Sequence, residues 1–193
     1  MGEIIQEIGR DFVLDLKEFL ESTENFGSVF TGNNRNQITV RQKLDGSTKT
    51  FDMIAGYKKN LVDEIEVYIE AKNYSSQGDL NEQYKKFLED CFSVWVYQKG
   101  LSKYWKAKFI FISKHPFYCS EYSNLKKLKF LKSRIEDDED LMNYCLNNEE
   151  IVVNEFLDSF DILIFSECIH MFSVDLQRLM DKFGLFSRDK RRR

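Results

Sequence analysis

The chain has a single proline, Pro116, two histidines, His115 and His170, and four cysteines, Cys91, Cys119, Cys145 and Cys168, with no CxxC pair among them. One proline excludes a Pro-rich linker. The scattered cysteines read as free thiols, mostly buried, and not as a disulfide scaffold. His115, Cys119, Cys168 and His170 do not have the spacing of a zinc module. They also offer few combinations for a Ser–His or Cys–His nucleophile. No GxxxxGK[ST] loop occurs, which argues against a P-loop nucleotidase, and no GxGxxG, which argues against dinucleotide binding. No run of about 18 apolar residues is present, so no membrane span is expected. The opening MGEIIQEIGRDF lacks the basic start and apolar core of a secretory signal, and Gln6 stands where a myristoylation signal carries Ser or Thr. A cytoplasmic protein is expected.

What the chain does have is a globular mixture, 42% hydrophobic and 31% charged over 193 residues, enough for one domain with a real core. Its net charge of −4 conceals strong segregation. Residues 99–134 hold ten basic residues and one acid, Glu121, whereas residues 135–161 hold ten acids and no base. The basic block is interleaved with Tyr97, Tyr104, Trp105, Phe117, Tyr118 and Tyr122. Cations with stacking rings suit a phosphate-contacting surface, and Lys126, Lys127, Lys129 and Lys132 are the candidates for nucleic-acid contact. The plainer reading is a solvated face whose lysines pair with the acidic run. The tail RDKRRR is either a phosphate-binding arm or a solvated end.

Periodicity divides the chain into elements. Ile5, Ile8, Phe12, Leu16 and Phe19 share one face of a helix over 3–21. A turn-rich stretch, 22–36, precedes three strand-like runs, 37–44, 49–58 and 64–72, the first two joined by the hairpin signal Asp45-Gly46. In the third run Ile65, Val67, Ile69 and Ala71 alternate with Glu64, Glu66, Tyr68, Glu70 and Lys72. A helix over 81–97, a buried strand over 106–113, a basic helix over 121–134, an acidic helix or loop over 136–149, an ambiguous segment over 150–158, a strand over 161–169 and a helix over 173–183 complete the reading. The expected fold is α/β, with a mixed central sheet in α-β-β-β-α-β order flanked by helices. Residues 1–115 form its core, and 116–193 are the C-terminal part of the same domain.

The chemistry concentrates in Asp52, Glu70 and Lys72. Asp52 is a carboxylate amid Phe51, Met53, Ile54 and Ala55, costly to bury without compensation. Glu70 and Lys72 leave the same face of the next strand, so an antiparallel pair brings Asp52 towards Glu70. Two carboxylates and the carbonyl of Ala71 are hard oxygen ligands suited to Mg²⁺ or Mn²⁺. Such an ion acidifies water and neutralises charge on a phosphoryl group, with Lys72 beside it.

The run TFDMIAGYKKNLVDEIEVYIEAKNY resembles the core motif of the PD-(D/E)XK nucleases, the restriction-endonuclease-like and Holliday-junction-resolvase-like superfamily. Asp52 fits the first acidic position, Glu70 the second and Lys72 the lysine, with 17 residues between the acids. Phe51 stands where the motif's name has proline. The resemblance covers about the first 115 residues and implies a metal-dependent endonuclease acting on DNA, with RNA left open, in restriction, phage defence, recombination or repair. It further implies an accessory acid from the first helix, for which Glu7 is the candidate with Asp11 close behind. A polar residue from the helix after the lysine is also implied, for which Gln83 is the candidate. Double-strand cleavage would take two sites and hence a homodimer. The alternatives are a non-catalytic nucleic-acid-binding module of the same fold and a protein-interaction domain using 135–161.

Overall fold

An apolar stripe shapes the first helix, α1 (Gly2–Ser22): Phe12, Val13, Leu16 and Leu20 are buried, whereas Arg10, Asp11, Asp15 and Glu18 face solvent. The computed structural model describes residues 2–22, 26–32, 37–59, 63–73, 79–113, 127–147 and 150–164. After α1 come β1 (Phe26–Thr31), a 3₁₀ turn at Gln37–Thr39, β2 (Val40–Gln42), β3 (Thr48–Thr50), β4 (Met53–Lys59) and β5 (Asp63–Lys72). Helix α2 (Leu80–Leu101) leads to β6 (Ala107–Ser113); α3 (Leu128–Arg134), α4 (Glu139–Asn147) and α5 (Glu150–Asp158) precede β7 (Phe160–Ile164). The segment 173–183, expected as a helix, lies outside the described residues, as do His115, His170, Cys119 and Cys168. Cys91 and Cys145 are buried free thiols.

The central sheet is mixed, in the order β1-β4-β5-β6-β7. β1 pairs antiparallel with β4 and β4 with β5, and β6 and β7 continue parallel to β5. Parallel neighbours need long crossovers; α2 lies on the first, and α3, α4 and α5 on the second. The sheet is therefore covered on both faces. On one, Phe12, Leu16 and Leu20 of α1 pack on Met53, Ala55, Val67, Ile69, Ile110 and Ile112. On the other, Leu88, Phe92 and Trp95 of α2 join Tyr68, Phe109, Phe111, Phe156 and Phe160 in an aromatic core. Tyr68 stacks on Phe109 at 5.3 Å and Phe87 meets Phe160 at 5.4 Å, offset and tilted contacts that rings prefer to face-to-face pairing. No helix among the described residues is long and apolar enough to cross a membrane.

Two expectations change. Residues 26–31 belong to a strand, not only to turns. β1 is an edge strand whose register shifts between Phe26 and Val29, so these two buried residues lie three apart and the period of two is broken between them. The run 49–58 is two strands, not one. Phe51 packs against Tyr68, Phe87 and Phe109 on the α2 side, while Met53 is buried on the α1 side. In an unbroken strand residues two apart face the same way. The chain bends at Asp52, which is thus a junction residue and not a strand interior.

β2 and β3 form a separate hairpin. Gly46 at its tip has φ +81°, the left-handed region that glycine enters without penalty, and Asp45 accepts hydrogen bonds from the Ser47 amide at 2.9 Å and its hydroxyl at 2.6 Å. These bonds hold the Asp45 carboxyl below its ordinary pKa. The hairpin lies on α2: the Leu44 amide donates to Ser93 Oγ at 3.1 Å, and Tyr97 donates to Gln42 Oε1 at 2.8 Å.

Candidate active site

The bend at Asp52 sits where β4 meets the ladder between β1 and β5. Its carbonyl accepts the Gly32 amide at 2.9 Å on the β1 side. Its carboxylate reaches the other way, where Oδ2 accepts the Ala71 amide at 2.8 Å, a bond made beyond the last paired residues, Met53 and Ile69. The side chain stands in for a ladder partner that β4 does not provide. Within a strand one residue's N–H and C=O leave by the same edge, so the Ala71 carbonyl also faces the Asp52 side.

Gly32 makes that approach feasible. A Cβ there would lie 2.8 Å from the Phe51 carbonyl oxygen, which is backbone and cannot swing aside. Gly32→Ala should therefore cost about 1–3 kcal/mol, read as a lower denaturant midpoint. An unchanged midpoint would show that this crossing yields easily.

On β5, Glu70 and Lys72 project from the α2 face, as the alternation requires. Lys72 Nζ lies 2.7 Å from Glu70 Oε1. Glu70 is only 8% exposed. Its other oxygen, Oε2, lies 3.0 Å from Lys49 Nζ, delivered by β3, but makes no hydrogen bond of good geometry. Lys49 also lies 3.9 Å from Asp90 of α2 and sits over the rings of Phe51 and Phe87, 5.7 and 5.5 Å from their centroids. Asp90 is held in turn by Lys43 at 3.2 Å. Burial first, and the Glu70 charge second, push the Asp52 carboxyl up to about 6; Lys72, the Ala71 amide and Lys49 oppose them.

Asp52, Glu70, Ala71 and Lys72 are thus brought close together. Gln83, the described one of the other catalytic candidates, is engaged elsewhere. Gln83 donates to Asp79 at 2.9 Å, a bond within the first turn of α2. Glu7 lies on α1 where side chains are outside the described ones, and Asp11 is exposed. Lys126 is likewise outside; Lys127 and Lys129 are exposed at the start of α3, and Lys132 is half-buried. Part of the basic block pairs with nearby acids: Lys99 with Glu155 at 2.8 Å and Arg134 with Glu89 at 2.7 Å.

Glu66, on the same face as Glu70, is engaged by other partners. It accepts hydrogen bonds from the Tyr68 hydroxyl and from Trp105 Nε1, the latter at 3.0 Å, and pairs with Arg41 at 3.2 Å. Burial and the Glu66 charge push the Tyr68 phenol up, so it stays a donor. Lys49 and Asp90 are site residues that sequence reasoning misses. Their pairing depends on the hairpin folding over α2, and no local pattern encodes that.

No family model matches the chain, and no curated protein matches it. Among solved structures, the chain is similar to the Acinetobacter baumannii Cap4 SAVED/CARF-domain containing receptor with the cyclic trinucleotide 3′3′3′-cAAA. That likeness has 14% identity and a TM-score of 0.36, over 94% of this chain and 37% of that one. It is also similar to the Moraxella osloensis Cap4 SAVED/CARF-domain containing receptor, at 15% identity and a TM-score of 0.32, over 93% of this chain and 37% of that one. The chain therefore spans little more than a third of the length of either.

Proposed function

We propose, from the chain's own residues, that the protein is a metal-dependent nuclease of restriction-endonuclease-like fold, with DNA as its substrate class. The observation that carries this reading is the meeting of Asp52, Glu70 and Lys72 where β4 begins beside the end of β5. The residues fit a hard divalent ion: two carboxylates, a backbone carbonyl on the same edge, and in Glu70 Oε2 a buried acceptor without a hydrogen bond. Asp52, Glu70 and the Ala71 carbonyl would hold Mg²⁺ or Mn²⁺. When bound, such an ion supplies Lewis acidity and lowers the pKa of water beside the scissile phosphate.

The chain's own groups do the rest. Lys72, anchored on Glu70, presents an ammonium that can hydrogen-bond a phosphate oxygen or orient the attacking water. Asp52 is ionised above about pH 6 and then offers a full charge to the cation. Exposed Lys127 and Lys129 are the described candidates for phosphate contact. A second copy of the chain would be needed to cut both strands at once.

A non-catalytic nucleic-acid-binding module of the same fold is the second reading. Its support is that both Glu70 oxygens already lie beside ammonium groups, and that the described residues hold no group of three or more His, Cys, Asp or Glu able to bind a metal. Titration with Mn²⁺, followed by the electron paramagnetic resonance signal of the free ion, separates the two. The nuclease reading expects saturable binding that Glu70→Gln weakens at least tenfold and that fades as pH falls through about 6. Absence of binding at millimolar ion, with oligonucleotide binding retained, would favour the second.

A further inference from the structure

Lys49 stands out because neither the motif nor the local sequence calls for it. Its ammonium occupies a pocket made by Glu70, Asp90, Phe51 and Phe87, four residues from β5, α2, the β3–β4 junction and α2 again. Two rings and two carboxylates around one position make a cation seat. Lys49 reaches it from β3, and the hairpin that carries it is fixed to α2 through Leu44, Gln42 and Lys43. The lysine is therefore held by the docking of a whole hairpin, not by its own rotamer.

Its placement beside Glu70 has a direct electrostatic consequence. Glu70 has one oxygen 2.7 Å from Lys72 and the other 3.0 Å from Lys49. A divalent ion on the same carboxylate must tolerate that second ammonium at close range, where charges in a partly buried site interact strongly. Asp90, 3.9 Å from the ammonium, offers it an alternative partner.

We infer that Lys49 is a positioning residue of the site, a resident cation beside Glu70 Oε2 that competes with a divalent ion for that oxygen and so sets the ion's affinity. Asp90 is the carboxylate that receives the lysine when the ion binds. This rests on the metal site proposed above. The hairpin β2–β3 then acts as the element through which ion affinity is tuned.

The test is Mn²⁺ titration of the full chain, read by the free-ion resonance signal, for the parent, Lys49→Met, Lys49→Arg, Asp90→Asn and Glu70→Gln, with thermal melts to show that each is folded. Lys49→Met should bind Mn²⁺ roughly tenfold more tightly, because a like charge has left. Lys49→Arg should stay within about threefold of the parent, because the charge remains. Asp90→Asn should bind more weakly, because Lys49 is left to Glu70 alone. Generic damage to the fold would loosen all variants together, so the opposite signs carry the result. Lys49→Met equal to or weaker than the parent, while Glu70→Gln loses the ion, would overturn the role of Lys49 and leave the metal site standing. No Mn²⁺ binding by any variant or by the parent would overturn both.

Discussion

Glu70→Gln and Lys72→Met are each expected to lower Mg²⁺-dependent DNA cleavage by roughly a hundred- to a thousandfold, the effect of removing one preorganised electrostatic group from a transition state. Glutamine is the informative replacement at position 70. Glu70 is buried and paired with Lys49 and Lys72, so Glu70→Ala would leave two ammonium groups near an empty space. Breaking a buried pair in that way costs about 3–5 kcal/mol and could be mistaken for lost chemistry. The amide keeps the shape and one acceptor. Lys72→Met keeps the aliphatic stem and removes only the charge. The measurement is the rate of nicking of a supercoiled plasmid at several Mg²⁺ concentrations. If charge on Glu70 serves to hold the ion, Glu70→Gln should regain part of its rate at high Mg²⁺, while Lys72→Met should not. Parent-like rates in both variants would remove the site from consideration. Cleavage that survives in excess chelator would do the same.

The two strands that carry the site were not equally legible. β5 alternates without a break from Ile65 to Lys72, and its backbone follows that period, so Glu70 and Lys72 could be placed on one face from the sequence alone. β4 could not be read in the same way. Phe51, Met53, Ile54 and Ala55 are all buried, on two different faces, and a run of apolar residues hides the bend at Asp52 that assigns them. The bend alters the chemistry, because it turns the carboxylate onto the Ala71 amide instead of leaving it within a strand. β1 was lost to its own register shift. Helices α1 and α2 were legible because their apolar stripes repeat at the helical period, although α2 runs to Leu101, beyond the expected end at 97. The segment 150–158, ambiguous in sequence, is α5: Val153, Phe156 and Leu157 fall on one buried face. Least legible of all were Lys49 and Asp90, and Glu66 with Arg41, since each pair joins residues brought together only when the hairpin closes over α2 and β5.

Asp52→Asn is expected to stabilise the protein at neutral pH and to leave it unchanged at pH 4. The sign follows from the direction of the shift. Burial and the neighbouring Glu70 raise the Asp52 carboxyl from its ordinary 3.8 to about 6 in the folded chain. Between those values the folded state holds a proton that the unfolded state has released. Asp52 therefore favours folding fully below about pH 4, and that advantage is lost as pH rises through 6. The difference is on the order of a few kcal/mol at pH 7.5, the cost of holding this carboxylate charged in a buried place beside Glu70. Asparagine has no such cost, and its side-chain oxygen can still accept the Ala71 amide. The melting temperature of Asp52→Asn should exceed the parent's by several degrees at pH 7.5, since about 2–4 °C accompanies each kcal/mol in a domain of this size. The gap should close progressively towards pH 4. Comparing the two chains at each pH cancels the titration of every other carboxylate. Mn²⁺ then supplies the second half of the argument. An ion that binds only the folded parent adds about 2.7 kcal/mol at a hundred times its dissociation constant, enough to erase most of the advantage of asparagine. Stability sacrificed for a charged aspartate would thus return when the cation arrives. A gap that does not vary with pH, or an asparagine variant that is less stable at pH 7.5, would mean that Asp52 is charged at little cost and that its carboxylate is a structural cap on β5.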